Sequence, residues 1–329
     1  MLKRKNRKRA KYKAVIIGAG RIGAQFDSPK NKEILTHAHA YFKNAKINLA
    51  GLFDINKRTA KKEARKWHCR AFSDFNKMFT EIRPDIVGIC TPDADHLKTL
   101  LKVAKYRPKL VICEKPITVS PSETEKVIKL YKKIGVPILV NYSRRFDKTV
   151  WDVKREIEKK ESGRVLCASG IYTKGILHNG SHLIDLVRFL FGEIKRSEVF
   201  YAVNDNNKKD KSVAGFLEFE KCKQFHLMVG DERRFSIFEL DIILEKKRFY
   251  FIDSGFYLFS QEVKSDPLYK GYKALSKPTI AKTALSNSLP ILVNNALDNL
   301  ENGAPLVCDM HEAFRTQVAC FSLIKGNLK

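Results

Sequence analysis

The stretch Gly18-Ala19-Gly20-Arg21-Ile22-Gly23 constrains this chain more than any other. It is a G-x-G-x-x-G set directly after a short β-rich run, Lys13 to Gly18. The first glycine permits a tight turn, the second lets the backbone approach a pyrophosphate, and the third allows close helix–strand packing. A helix that opens there presents free N–H groups and the positive end of its dipole to phosphate. The pattern is weak in isolation. Its context, strand before and helix after at the start of an alternating series, predicts a dinucleotide site. Gly18, Gly20, Arg21, Ile22 and Gly23 are the expected cofactor-binding residues.

The next strand-like run, Ile47 to Phe53, leads into Asp54. A carboxylate there accepts both adenosine-ribose hydroxyls and repels a 2′-phosphate, which favours NAD. Arg58 leaves room for NADP, because a guanidinium suits a 2′-phosphate. Asp54 lies farther from the glycines than the usual spacing of about 20 residues. The polar stretch Asp27 to Glu33 accounts for this as a loop inserted before a helix at Thr36–Lys43. A helix N-cap ahead of Asn56 is the plainer role for Asp54, and it is compatible with ribose binding.

Beyond Asp54, a helical stretch from Asn56 to Trp67 is followed by near-continuous apolar runs at Asp85–Cys90 and Leu110–Cys113, as strands buried on both faces require. Between these runs a helix covers Asp93 to Ala104. Ser120-Pro121-Ser122-Glu123 supplies a cap, a proline at the first helical position and a capping-box glutamate. That helix ends at Gly135, before the strand Pro137 to Val140. Such repeated strand–helix units predict a parallel, doubly wound sheet.

The pattern changes after Tyr142. A charged helix (Asp147–Lys160), a strand (Val165–Tyr172) and an apolar helix (Ser181–Phe191) precede strand-like segments at Glu198–Val203, Ala214–Phe219, Gln224–Val229, Phe235–Leu240 and Arg248–Ile252. Helices near Leu289–Glu301 and Met310–Ile324 follow. We expect a basic tail over 1–11, an α/β Rossmann domain over 12–143, and an α+β domain built on a mostly antiparallel open sheet over 144–329. The second domain is expected to serve substrate binding and oligomerisation. Because such a sheet leaves a face and edges open, a homo-oligomer is expected.

The chain has 329 residues, of which 44% are hydrophobic, enough to bury two cores. No run approaches the roughly 18 apolar residues of a membrane span. The run Ala14–Ile17 behind the basic start is too short for a signal-peptide core. Seven scattered cysteines without a C-x-x-C pair read as reduced thiols, which points to the cytoplasm. The net charge of +26 favours anionic ligands. The tail itself reads as a solvated terminus, so neither a nucleic-acid nor a membrane partner is expected. His37 and His39 are two apart and face different sides of a helix. With no third ligand nearby, no metal site is expected.

Three further segments complete the pattern. Cys90-Thr91-Pro92-Asp93-Ala94-Asp95-His96 ends one strand and opens a helix. Cys113-Glu114-Lys115-Pro116 ends the next strand. His178-Asn179-Gly180-Ser181-His182-Leu183-Ile184-Asp185 opens a helix of the second domain. With the glycine turn and Asn141-Tyr142-Ser143-Arg144-Arg145-Phe146, this ordered set resembles the Gfo/Idh/MocA family, from Tyr12 to near Lys325.

The resemblance implies NAD(P)-dependent hydride transfer to or from a hydroxyl-bearing carbon of a sugar, cyclitol or nucleotide-activated sugar. It implies catalytic roles for Lys115 and His182, and cofactor contacts from Thr91, Pro92, His96, Glu114 and Lys115. It further implies a cis bond at Lys115–Pro116. An ammonium at a strand end can stabilise charge on a reacting oxygen, and an imidazole titrates in the range suited to taking its proton. Asp185 either orients that imidazole or packs within the helix. The segment Thr36-His37-Ala38 resembles one that lines the nicotinamide side or caps a helix.

One position departs from the family. Where many relatives carry Asp four residues before the helix histidine, this chain has His178. With Lys174 nearby, we expect Arg145, Lys174, His178 and Asn179 to meet a substrate bearing phosphate or carboxylate. Two other functions share parts of this pattern: a dinucleotide-binding regulator without turnover, and a glycosidase that uses NAD without net oxidation.

Overall fold

Four consecutive buried residues, Ala14 to Ile17, make the first strand a core strand rather than an edge. The computed structural model of the protein describes residues 10–207 and 210–326. Most of the expected basic tail therefore lies outside the described residues. In chain order, the N-terminal part runs β1 (Tyr12–Ile17), α1 (His37–Lys43), β2 (Ile47–Phe53), α2 (Lys57–Lys66), β3 (Arg70–Phe72) and α3 (Phe75–Ile82). It continues with β4 (Ile86–Ile89), α4 (His96–Ala104), β5 (Leu110–Glu114), α5 (Pro121–Ile134) and β6 (Ile138–Asn141). These six strands pair in parallel in the order β3-β2-β1-β4-β5-β6. The order reverses at β1, and in doubly wound sheets ligands bind at that switch point, beyond the strands' carboxyl ends.

The helices start where their caps dictate. Thr36 caps α1, Asn56 caps α2, Asp74 caps α3 and Ser120 caps α5, each accepting main-chain N–H groups of the first turn. The expected helix behind the glycine turn amounts to one π-type turn, Arg21–Gln25. The loop inferred at Asp27–Glu33 then carries the chain to α1. Buried Asp27 closes that loop by accepting from Leu35 N at 2.6 Å and Thr36 Oγ1 at 2.5 Å, with His39 Nδ1 at 2.8 Å. Trp67 is fully buried, and its Nε1 donates to the Ala24 carbonyl at 2.9 Å, tying the end of α2 to the glycine turn.

The second part runs α6 (Lys148–Lys159), β7 (Val165–Tyr172), α7 (Ser181–Phe191), β8 (Ile194–Asn207), β9 (Asp210–Phe219), β10 (Phe225–Val229), β11 (Phe238–Leu244) and β12 (Lys247–Ile252). β13 (Tyr257–Ser265), β14 (Lys273–Leu275) and β15 (Thr279–Lys282) complete its sheet. Its nine strands are antiparallel neighbours except β7 and β10, which pair in parallel. The mostly antiparallel sheet expected from the sequence is present. One face is the core, where Tyr172, Leu217, Phe225, Leu240 and Phe251 cluster with α7 residues Leu183, Val187 and Phe191.

Two helices close the chain, α8 (Ser288–Asn302) and α9 (Met310–Ile324). The expected single boundary at 143/144 does not describe the packing. One compact unit comprises 1–146 and 286–314, the other 147–285 and 315–329. The reason lies in α8: Leu289, Leu292, Val293, Ala296 and Leu297 form an apolar stripe buried in the core of the parallel-sheet unit. Among the described residues, no helix is long and apolar enough to cross a membrane.

Candidate functional site

The three glycines of the turn differ in what surrounds them. Gly18 has φ 96°, and a Cβ there would lie 2.5 Å from the Cys90 carbonyl oxygen. At Gly23 a Cβ would lie 2.1 Å from the Gly18 carbonyl oxygen. At Gly20 a Cβ would meet nothing within 4 Å. The first and third are thus needed by the protein itself, whereas the second keeps open the space a pyrophosphate requires. Gln25 N donates to Gly20 O at 3.1 Å and Phe26 N to Arg21 O at 3.1 Å, and among the described residues no side chain caps the turn. The groups present fit a dinucleotide. Arg21 is exposed and Ile22 half-buried at this turn.

Asp54 follows β2 and ties it to the glycine turn. Its Oδ2 accepts from Ala19 N at 3.0 Å and its Oδ1 from Asn56 N at 2.8 Å. The helix cap is Asn56, which accepts from Arg58 N and Thr59 N. Asp54 is half-buried, and each carboxylate oxygen keeps lone-pair capacity for a ribose hydroxyl. Arg58 is exposed in the first turn of α2.

The ends of β4, β5 and β6 carry the next group. Lys115–Pro116 is a cis peptide bond, as expected, and Lys115 is half-buried. Glu114 Oε1 lies 2.7 Å from His37 Nε2 and accepts from Asn141 Nδ2 at 2.8 Å. Burial pushes the Glu114 carboxyl up, but the hydrogen bonds from His37 and Asn141 and the charge of Lys115 outweigh it and hold the group below the usual carboxylate range. Buried Thr91 Oγ1 and Asn141 Oδ1, both at strand ends, have no hydrogen-bond partner among the described residues. Pro92 beside them is exposed. Burial raises the Cys90 and Cys113 thiols well above their ordinary range, so neither is an activated nucleophile.

Two residues expected to meet ligands have other work. His96 is fully buried, with Nδ1 2.6 Å from the Pro116 carbonyl and Nε2 2.9 Å from the Thr91 carbonyl. Each ring nitrogen lies against a main-chain carbonyl of a strand-end loop, so a direct cofactor contact is not supported. Arg145 is 3% exposed and donates to the Val307 carbonyl at 3.4 Å and to Glu312 at 3.1 Å. Its guanidinium fastens the segment behind β6 to the start of α9, which does not support a substrate role. His37 and His39 face different partners from α1, Glu114 and Asp27, as expected for residues two apart on a helix.

In the second unit, a π-type turn at Gly175–Gly180 runs directly into α7. It places His178 in an exposed position and Asn179 and His182 in half-buried ones. His178 and His182 are four apart on this continuous helical segment, so they share a face. Asp185 is buried and accepts from Thr316 Oγ1 at 2.8 Å, which ties α7 to α9. Lys174 Nζ lies 3.7 Å from Glu232 Oε1, so its charge already has a carboxylate beside it.

Residues 12–142 match the family model described as "Oxidoreductase family, NAD-binding Rossmann fold". "Uncharacterized oxidoreductase YrbE" of Bacillus subtilis is 29% identical over 149 residues, 45% of this chain and 40% of its own length. "Inositol 2-dehydrogenase 1" of Mycolicibacterium vanbaalenii is 31% identical over 137 residues, 38% of this chain and 40% of its own. The chain thus spans about 40% of the length of these curated relatives. The crystal structure of the WlbA dehydrogenase of Bordetella pertussis, in complex with NADH and UDP-GlcNAcA, has a TM-score of 0.73 at 16% identity. That likeness of fold covers 96% of both chains.

Proposed function

We propose, from the match of residues 12–142 to the family model of NAD-binding Rossmann-fold oxidoreductases, that this chain is a Gfo/Idh/MocA-type dehydrogenase or reductase acting on a CH–OH group of a sugar, cyclitol or nucleotide-activated sugar. The observation that carries the reading is the gathering of an open Gly20, Asp54 and Lys115 at the carboxyl ends of one parallel sheet. Bound nicotinamide supplies the hydride acceptor or donor. Lys115 holds the reacting oxygen and stabilises charge on it, and His182 takes or returns the hydroxyl proton. Asp54 receives the adenosine ribose and favours NAD over NADP. Glu114, fixed as a carboxylate by His37 and Asn141, keeps a negative charge next to Lys115.

His178 and Asn179 are proposed to face the substrate. The relative named inositol 2-dehydrogenase and the structure holding UDP-GlcNAcA suggest a polyhydroxylated ring, free or nucleotide-linked. Glu232 beside Lys174 weakens the case for an anionic group at that lysine. We further propose a homo-oligomer formed through the outer sheet face, where registered neighbours Phe216, His226, Ser169, Asp241, Tyr250 and Phe259 form one row. The scattered cysteines keep the cytoplasm as the proposed compartment.

The test is a nicotinamide absorbance assay with NAD and NADP against myo-inositol, a glucoside and UDP-N-acetylglucosamine, with product analysis. NADH formation with at least one of them, together with its ketone, supports the reading. NAD binding without turnover on any polyol or sugar nucleotide would favour the regulator instead.

A further inference from the structure

The turn that carries His178 has no cap of its own. The first N–H groups of a helical segment lack intrahelical acceptors. Lys174 precedes the turn in the left-handed region at φ 73°, and neither it nor Gly180 supplies a side-chain cap. The acceptors come from β8 and β9 instead. Asp210 Oδ1 accepts from Leu177 N at 2.8 Å, and its Oδ2 accepts from His178 N at 2.9 Å. Ser212 Oγ accepts from Gly175 N at 2.8 Å and donates to Asp205 Oδ1 at 2.9 Å. Asp205 Oδ2 accepts from Lys174 N at 2.6 Å. Asp205, Asp210 and Ser212 are all buried. Gly175 is what lets the carboxylate come so close: at φ 78°, a Cβ there would lie 2.1 Å from Asp210 Oδ2.

We propose that Asp210 is a positioning residue for His178, and through the continuous helical segment for His182, with Ser212 and Asp205 as its support. The effect on turnover rests on the dehydrogenase reading above. The effect on the turn does not. Carboxylates at the start of a helical segment are also favoured by its dipole, which adds to the hydrogen bonds.

Hydrogen-bond polarity makes the proposal sharp. Both Asp210 oxygens accept main-chain N–H groups, which cannot reverse their direction. Asp210→Asn therefore loses one acceptor and sets an NH2 group against an N–H. Asp205 differs, because its Oδ1 faces a hydroxyl that can rotate and accept from an NH2 group while Oδ2 keeps Lys174 N. The same substitution at two neighbouring buried carboxylates has opposite outcomes.

The experiment is NMR of the full chain, with the His178 ring signals assigned by loss in His178→Gln. Asp210→Asn should move the His178 ring signals and speed exchange of the Leu177 and His178 amides by about tenfold or more, as expected for losing a local protecting bond. Asp205→Asn should leave both near wild type. NAD affinity should be unchanged in both variants, which reports an intact first unit. With a substrate from the panel, Asp210→Asn should lower kcat by about tenfold with KM for NAD unchanged. Unmoved ring signals and amides in Asp210→Asn overturn the proposal. Should that variant not fold, the wild type still decides: slow exchange of the Leu177 and His178 amides is required, and open-loop rates refute it. If the ring and amides respond as stated while no panel substrate is turned over, the dehydrogenase reading fails and the positioning claim stands.

Discussion

The turns at Arg21–Gln25 and Gly175–Gly180 both begin with N–H groups that no helix can satisfy, yet the chain treats them differently. Among the described residues no side chain caps the first, and there is open space at Gly20. The second is closed by Asp210, Ser212 and Asp205. An uncapped helical start is a site for an anion, and a capped one is a mount for its own side chains. We propose that one turn receives phosphate, and that the other holds two histidines still. The difference also sets what each can lose: the first loses a ligand, the second a geometry.

Substitutions in the chemistry should separate turnover from binding most strongly. Lys115→Ala and His182→Ala should each lower kcat by roughly 10²–10⁴-fold while NAD affinity moves by less than tenfold. Steady-state kinetics beside fluorescence titration of NAD measure both, and the double variant should cost less than the product of the two. A matching loss of NAD affinity would erase the division of labour.

Filling the open turn is the next largest effect. Gly20→Glu has room in the fold but sets a carboxylate against a pyrophosphate, so NAD binding should weaken by on the order of 100-fold with melting temperature nearly unchanged. Gly23→Ala should instead lower the melting temperature, because its Cβ would collide with the Gly18 carbonyl. If Gly20→Glu binds NAD normally, the uncapped turn is not the phosphate site.

Much of this contrast could be read from the sequence, and the reason is locality. The glycine turn, Asp54, the Lys115–Pro116 strand end and the Ser120-Pro121 helix start depend on residues adjacent in the chain, so their pattern is visible there. Asp210 is 32 residues from the His178 amide it caps, and nothing around it marks that role. His96 and Arg145 likewise looked available until folding brought the Thr91, Pro116 and Val307 carbonyls and the Glu312 carboxylate against them. α8 was legible as a helix, but an apolar stripe does not say which of two cores it covers. β3, α3 and the last three strands were missed. Arg70–Phe72 has three residues, and Thr279–Lys282 is exposed throughout, so neither shows a buried alternation.

A smaller effect sharpens the cofactor half. Asp54→Ala should narrow the preference for NAD over NADP by about tenfold, since it removes both the ribose acceptor and the charge opposing a 2′-phosphate. Equal affinities in the wild type would remove the role assigned to Asp54.

The smallest effect concerns pH. Because Glu114 is held below its ordinary value of 4.5 in the folded chain, its ionised form stabilises the fold above the usual carboxylate range. That contribution is lost as pH falls through the lowered value. Thermal melts of wild type and Glu114→Gln should differ by a few degrees at neutral pH, roughly the effect of one buried hydrogen-bonded carboxylate, and converge in acid. A gap that widens in acid would contradict the lowered value.

The most direct measurement of the central claim follows one atom. A panel substrate deuterated at its reacting CH–OH carbon is incubated with the protein and NAD, and both products are examined by mass spectrometry. Hydride transfer supported by Lys115 and His182 predicts deuterium on the reduced nicotinamide, one equivalent per ketone formed, appearing at least about a hundredfold more slowly with Lys115→Ala. Deuterium released to water, or returned to the sugar with no net reduced nicotinamide, would contradict it.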